Sequence, residues 1–530
     1  MGMTLDLNDF PGADARTRIN DALRAARRMP GSTLVVPPGT YILTSALARK
    51  TQADVLAGLH GENPEKDMFS PDFPFTIGLD FDGHEGTTLD ARGATLLVDG
   101  YMEPLALRNC RNITVRGLTI DTLRKPYSRG TIERWGEGSF EVGFGGDFPV
   151  DERTIMPRWC AYDFRTHRFN LDIRMRGRTW LGGQRFRFDA SSMPAVDLTG
   201  ADFYVWHSFH FRPAVMIEEA KDITLADVTI HSHPGMGVLG HRSENIRMER
   251  LRVAPSRGEH LSTNTDATHF TSCRGIVEFI DCTFDGHGDD ATNVHTFYHD
   301  IEPLGADVYR SSVGVTTHSL TMDHPDPGDE LELVDRRSLV CRGKYRALEC
   351  EREAGSLACV VRVDAPLPAD ARDCFFCDVS QLPRLRFIGC TANNHWARSV
   401  LVKTRGALIE GCTFTGSALQ AIHVAAEGAW REGAACEDVV IRGNRFFDCG
   451  RSGHSRTGGI RVEMAAESPA GTPQRGIVIE YNIFDCPGVS HAVHVSNAKD
   501  VVIRGNAVLS GAPAEIIDCA NVETDIPGIG

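Results

Sequence analysis

A short apolar pattern recurs along the chain, and it constrains the fold more than any other feature. The copies read NITVRGLTI from Asn112, DITLADVTI from Asp222, NIRMERLRV from Asn245, GIVEFIDCTF from Gly275 and RLRFIGCTA from Arg384. They continue as ALIEGCTF from Ala407, DVVIRGNRF from Asp438, GIVIEYNIF from Gly476 and DVVIRGNAV from Asp500. Each is a short strand of alternating apolar residues, a turn at Gly, Asn or Asp, and a second short strand. Another strand family lies between the copies: MGVLG at 236, DATHF at 266, DATNVH at 290, SVLVK at 399, AIHVA at 421, GIRVE at 459 and AVHVS at 492. Undisturbed, the whole unit repeats every 23 to 25 residues. Inside each copy the period is two rather than 3.6, which excludes a helical array and predicts an all-β solenoid.

Two gaps break the period. Ile113 and Ile223 are 110 residues apart, and Ile276 and Leu385 are 109 apart. Each gap is one coil plus roughly 85 residues, too long for a connection without structure of its own. The first contains SFEVGF, FNLDIR, RFRFDA and FYVWH; the second contains SLTMD (residues 319–323), DELELVD and ACVVRVDA. Both alternate as antiparallel strands do, so two small β-barrel or sandwich domains are expected at 126–211 and 298–382. The solenoid is then discontinuous, over 1–125, 212–297 and 383–530. Ahead of it, residues 16–29 place Ile19, Leu23 and Ala26 on one helical face before VVPPGTY. This opening resembles the N-terminal cap of carbohydrate-active right-handed β-helices, and a solenoid needs a cap to cover its first open coil. The expected fold is a right-handed parallel β-helix with a cap helix and two inserted domains.

The formal net charge is −15, without a basic run, which argues against nucleic acid as a partner. No apolar run approaches the roughly 18 residues that cross a bilayer, so no membrane span is expected. The first residues, MGMTLDLNDF, lack a basic n-region and an apolar h-region. No signal peptide is therefore expected: the chain as it stands is cytoplasmic, or secreted after losing a leader. Fifteen cysteines are scattered, several at one repeat position (Cys282, Cys390, Cys412), as stacked core thiols would be. Cys374 and Cys377 form a lone C-x-x-C without a second pair at zinc spacing.

Chemistry concentrates in residues 263–295, TNTDATHFTSCRGIVEFIDCTFDGHGDDATNVH. Asp266 lies 23 residues before Asp289 and 24 before Asp290, one coil away. Strands about 4.8 Å apart would put these carboxylates at roughly 5–9 Å on one face. Two acids at such a distance can cleave a glycosidic bond, one protonating the leaving oxygen while the other activates water or attacks carbon. Mutual repulsion would keep one of them protonated near neutral pH. Asp289 or Asp290 could instead bind calcium. Alignment of the second strand family points His269, Asn293, His295, Lys403, His423, Arg461 and His494 outward. Such a polar ladder fits a ligand face, and it also fits a solvated sheet face.

GMGVLGHRSENI at 235–246, DATHF at 266–270 and GHGDDATNVH at 286–295 resemble glycoside hydrolase family 110, and the resemblance spans most of the chain. It includes IDTLRKP at 120–126, NNHWARSVLVKTRG at 393–406 and the surroundings of AEGAWREG at 426–433. A more distant similarity links the Asn-Thr-Asp and Gly-Asp-Asp motifs to family 28 polygalacturonases. The resemblance implies an inverting exo-α-galactosidase that releases terminal α-1,3-linked galactose from an oligosaccharide or glycoconjugate, without metal or organic cofactor. It implies Asp266 as general acid and Asp289 or Asp290 as base. It further implies His269, Asn293, His295, Arg405, Trp430 and Glu432 as sugar-binding residues. Gly258-Glu259-His260 and Thr296-Phe297 depart from the family pattern beside the expected pocket, which puts sugar preference in question. The alternatives are a same-scaffold glycosidase for another sugar, or a glycan-binding solenoid without catalysis. A homo-oligomer is compatible with either.

Overall fold

The computed structural model describes residues 3–70, 72–170, 172–313, 323–354, 356–452 and 456–525. Three long parallel sheets wrap one apolar interior. One has 13 strands, from Thr4–Asp6 to Ala520–Thr524; another has 11, from Gly39–Thr44 to Ala507–Val508. The third runs from Ile77–Asp80 to Ala512–Ile517 and carries the polar ladder. The repeat copies stack in register, with Ile113 on Ile223 on Ile246, and later Leu385 on Ala407 on Val439 on Ile477 on Val501. One copy slips. Ile246 pairs with Val277, one residue beyond the expected Ile276, because the register shifts after Glu244. The extra residue turns Ile276 out (37% exposed) and puts Val277 and Phe279 in the core, as a β-bulge does.

In most copies the residue just ahead of the first core position is left-handed, with φ of 53° at Asn112, 57° at Asp222, 57° at Asn245, 55° at Asp438 and 56° at Asp500. Asn and Asp tolerate that conformation better than other side chains, which is why they recur there. Inside the coil a single column changes chemistry along its length. The N–H of Cys282 donates to Cys390 Sγ and that of Cys390 to Cys412 Sγ, both at 3.4 Å. The N–H groups of Cys412 and Asn444 then donate to Asn444 and Asn482 Oδ1 at 2.9 Å, and that of Asn482 to Asn506 Oδ1 at 3.0 Å. Beside this column Phe414, Phe446 and Phe484 stack at centroid distances of 5.1 and 4.7 Å.

The cap helix is Ala15–Arg27, started by Asp14, whose carboxylate accepts from the N–H of Thr17 at 2.9 Å. Its buried Ile19, Ala22 and Leu23 join the solenoid core, closing the first coil. A second helix, Ala46–Leu56, was not anticipated.

Residues 127–206 form a seven-stranded antiparallel sheet around their own core of Phe140, Phe186, Phe188 and Phe203. Residues 292–378 include a closed barrel of six antiparallel strands, in which Thr292–Pro303 pairs with both Val308–Val313 and Cys374–Asp378. Of the strand expected at 319–323, residues 319–322 lie outside the described residues. Among the described residues no helix is long and apolar enough to cross a membrane.

Candidate active site

The three aspartates sit at the turns that feed two adjacent strands of the ladder sheet. Thr268 pairs with Thr292 and Thr292 with Val400, so Asp266, Asp290 and Arg398 occupy one column on successive coils. The turn carrying Asp289 and Asp290 passes so close to its neighbour that a Cβ on Gly288 would fall 2.1 Å from the carbonyl oxygen of Asn264. A glycine is needed there for the carboxyls to come together. Oxygens of Asp266, Asp289 and Asp290 lie within 4.8 Å of one another, tighter than the 5–9 Å expected from strand spacing. The turns converge where straight strands would have kept their distance.

The trio is not equivalent. Asp290 is buried and Arg398 grips it twice: Nε donates to Oδ1 and Nη2 to Oδ2, both at 3.0 Å, and the Arg398 N–H adds 2.8 Å to Oδ1. Burial would lower the Arg398 guanidinium, but Asp290 and Glu427 hold it above its ordinary value. Asp266 is buried and bonded at 2.6 Å to His269 Nδ1. Asp289 alone is half-buried. Burial, then repulsion from neighbouring carboxylates, pushes Asp266 and Asp289 well above the usual carboxylate range.

Hydrogen-bond bookkeeping fixes one proton. His295 Nδ1 lies 2.9 Å from the carbonyl of Thr296, so it must donate. Burial depresses His295 to about 3 and His269 to about 4, which favours neutral rings. His295 Nε2 is then an acceptor and takes the proton of His269 Nε2 at 2.9 Å. Asp266 Oδ2 and His269 Nδ1 share one proton across their 2.6 Å bond, and burial together with the neighbouring carboxylates favours it on Asp266.

A second buried group adjoins the trio. Lys403 bonds Glu427 at 2.7 Å, Glu432, and Asn293 Oδ1 at 3.2 Å, while Asn293 Nδ2 donates to Glu432 at 3.1 Å. Burial opposes the ammonium, and Glu427 and Glu432 hold it charged. Of the residues expected to bind sugar, His269, Asn293, His295 and Glu432 are thus gathered beside the trio. Trp430 stands on an exposed turn, 53% accessible. Arg405 is drawn elsewhere: it lies on the 13-stranded sheet, where Glu332 at 2.8 Å and Glu437 at 3.2 Å bind its guanidinium. The expectation that it faces the pocket is corrected on that ground. Arg398 and Glu427 were missed; the alignment of Arg398 with Asp290 one coil earlier was the available signal.

The departures at 258–260 also find another role. His260 stacks on Tyr162 at 3.7 Å, Glu259 accepts from Tyr127 Oη at 3.1 Å, and Arg129 donates to the carbonyl of Gly258 at 2.6 Å. These residues dock the first inserted sheet onto the coil that carries Asp266.

Two sets of side chains, Asp266–Asp289–Asp290 and His269–His295–Glu432, have ligand atoms close enough to share a metal ion. Neither donor set fits one. Arg398 occupies Asp290, Lys403 occupies Glu432, and the two imidazoles bond each other directly.

No family model matches the chain. Among curated proteins, "Alpha-1,3-galactosidase A" of Bacteroides fragilis (strain ATCC 25285) is 25% identical over 528 residues, covering 93% of this chain and 84% of its own. "Alpha-1,3-galactosidase A" of Streptomyces avermitilis is 25% identical over 580 residues, covering 96% and 88%. "Alpha-1,3-galactosidase B" of Bacteroides thetaiotaomicron is 24% identical over 487 residues, covering 84% and 76%. Among solved structures, the A-module of the Azotobacter vinelandii mannuronan C-5 epimerase AlgE6 aligns over 98% of this chain and 99% of its own. Identity is 12% and the TM-score 0.43, a likeness too loose to bear on the chemistry.

Proposed function

We propose that the chain is a glycoside hydrolase releasing terminal α-linked galactose, α-1,3-linked by the names of its relatives, from oligosaccharides or glycoconjugates. The observation that carries this reading is the trio itself: three carboxyls on adjacent coils with oxygens within 4.8 Å, of which only Asp289 is partly open to solvent. The three relatives described above, each named as an alpha-1,3-galactosidase, match more than four-fifths of this chain.

Geometry favours a division of labour different from the one implied by the motifs. A general acid needs a proton that can reach the leaving oxygen. Asp266 is tied up with His269 at 2.6 Å, whereas Asp289 is half-buried, held above its ordinary range and unclamped by Arg398. Asp289 is the acid in this reading, and Asp290, ion-paired with Arg398, is the candidate for the base. The bond from the galactose anomeric carbon to the bridging oxygen breaks, and Asp289 delivers its proton to that oxygen. Water attacks the opposite face and gives its proton to the base. His269, Asn293, His295 and Glu432 border the place where the sugar hydroxyls would lie.

The separation favours a second reading. Inverting pairs usually stand about 6.5–9.5 Å apart and retaining pairs about 5–5.5 Å. An approach within 4.8 Å therefore also suits double displacement through a galactosyl-enzyme. Proton NMR of the first sugar released decides between them: β-galactose establishes inversion, and α-galactose overturns it. A panel of nitrophenyl α-glycosides tests the sugar, with the galactoside expected to be cleaved fastest.

A further inference from the structure

A cavity of about 580 Å³ opens between the first inserted sheet and residues 62–65 near the N-terminal end of the solenoid. Arg158, Arg176 and Arg178 line it, with Trp159 at one side and Glu62 and Glu65 opposite. Among the described residues none of the three guanidiniums comes within ion-pair distance of a carboxylate, in a molecule where most arginines do. Glu62 and Glu65 act on Arg178 and Arg158 only across the gap. Nη1 of Arg178 is buried without a hydrogen-bond partner, a cost that a ligand oxygen would remove. The formal charge of this wall is positive, in a chain whose total is −15.

The cavity is also next to the chemistry. Arg158 sits over the ring of Phe209, 3.6 Å from its centroid, and the carbonyl of the preceding Ser208 accepts from Nδ2 of Asn264 at 2.6 Å, in the turn that carries Asp266 and abuts Gly288. Asp289 is the most open of the three carboxyls. A forked guanidinium suits planar or tetrahedral oxyanions, and Trp159 offers an apolar face to a sugar ring.

We infer that this cavity holds the sugar from which galactose is cleaved, and that it selects a sugar bearing an oxyanion, a carboxylate or a sulfate ester. This rests on the galactosidase reading and adds the class of the leaving group to it. Three substrates test it: neutral α-galactosyl-1,3-galactose, the same disaccharide oxidised to the uronic acid at C6 of the leaving sugar, and its 6-sulfate. The full chain should show kcat/KM at least about tenfold higher on one acidic form than on the neutral one, the worth of one charge-assisted hydrogen bond. Which acidic form wins identifies the anion. Salt at about 0.5 M should erode the preference. The Arg176→Ala/Arg178→Met double variant should lower the acidic-to-neutral ratio about tenfold, and Arg176→Glu should reverse it, with circular dichroism confirming the fold. Equal rates on all three substrates, or a ratio unchanged in both variants, overturn the inference. If neither 4-nitrophenyl α-galactoside nor any of the disaccharides is cleaved, the galactosidase reading itself fails. If the nitrophenyl substrate is cleaved without an acidic preference, only the cavity's role fails.

Discussion

Leaving-group chemistry separates the roles of the three carboxyls. An acid is dispensable when the departing group needs no proton, so Asp289→Asn should lose about 10²–10⁴ in kcat on a disaccharide. It should lose far less on 2,4-dinitrophenyl galactoside. If Asp266→Asn shows that pattern instead, the acid is Asp266, as the motifs implied. Titration gives a second test. Asp266 and Asp289 are raised above their unfolded value of about 4, so the stability tied to their neutral forms is complete below that pH. It is lost as pH rises through the raised folded values. Asp289→Asn should therefore raise the unfolding free energy at pH 8 and change it little at pH 4, measured by urea denaturation. The placement of the trio, His269, Asn293 and His295 was legible in sequence because spacing near the coil period fixes a column, whereas Glu432 was reached only through the AWREG motif. Which carboxyl is open was not legible, since that depends on the angle at which two turns meet. Nor was Arg405, whose fate is set by Glu332, a residue 73 positions away.

The elements explain both the strength and the limit of the sequence reading. Alternation and the Asn, Asp or Gly corners located nearly every rung, because a left-handed corner admits few residues. The slip at Gly275 escaped notice because Ile276 is as apolar as Val277 and suits either register. The helix Ala46–Leu56 escaped because it buries only Ala48, Thr51 and Val55, too weak a stripe to stand out. The polar half of the internal column yields a prediction of its own. Asn482→Ala removes the acceptor of the Asn444 N–H and the donor to the carbonyl of Ile441. Leaving these groups buried and unpaired should cost about 1–3 kcal/mol for each. Asn482→Cys should cost less, because Cys390 and Cys412 serve as acceptors in the same column. Urea unfolding of both variants checks the order.

At the scale of the whole molecule, the first inserted sheet is a wall of the proposed site that is held by aromatic contacts. Trp396, two residues from Arg398, meets Trp206 edge-on at 4.5 Å, and His260 lies flat on Tyr162. Trp396→Ala should leave the far-UV spectrum unchanged, raise KM on disaccharides several-fold and speed proteolysis within 145–155. A KM unchanged from wild type would separate that sheet from substrate binding. The length of the two gaps announced the inserted segments, but their docking could not be read, because contacts such as Tyr162 with His260 join residues without periodic relation. The column running from Cys282 to Asn506 has one further consequence. Every link points the same way, a main-chain donor on one coil meeting a side-chain acceptor on the next. The solenoid is thus a directional polymer whose asparagine-bearing coils are interchangeable units. Tandem duplication of such a coil inserts a donor and an acceptor together and leaves neither stranded. The stretch after Asn444 is where the molecule can lengthen without disturbing the coils that hold the aspartates.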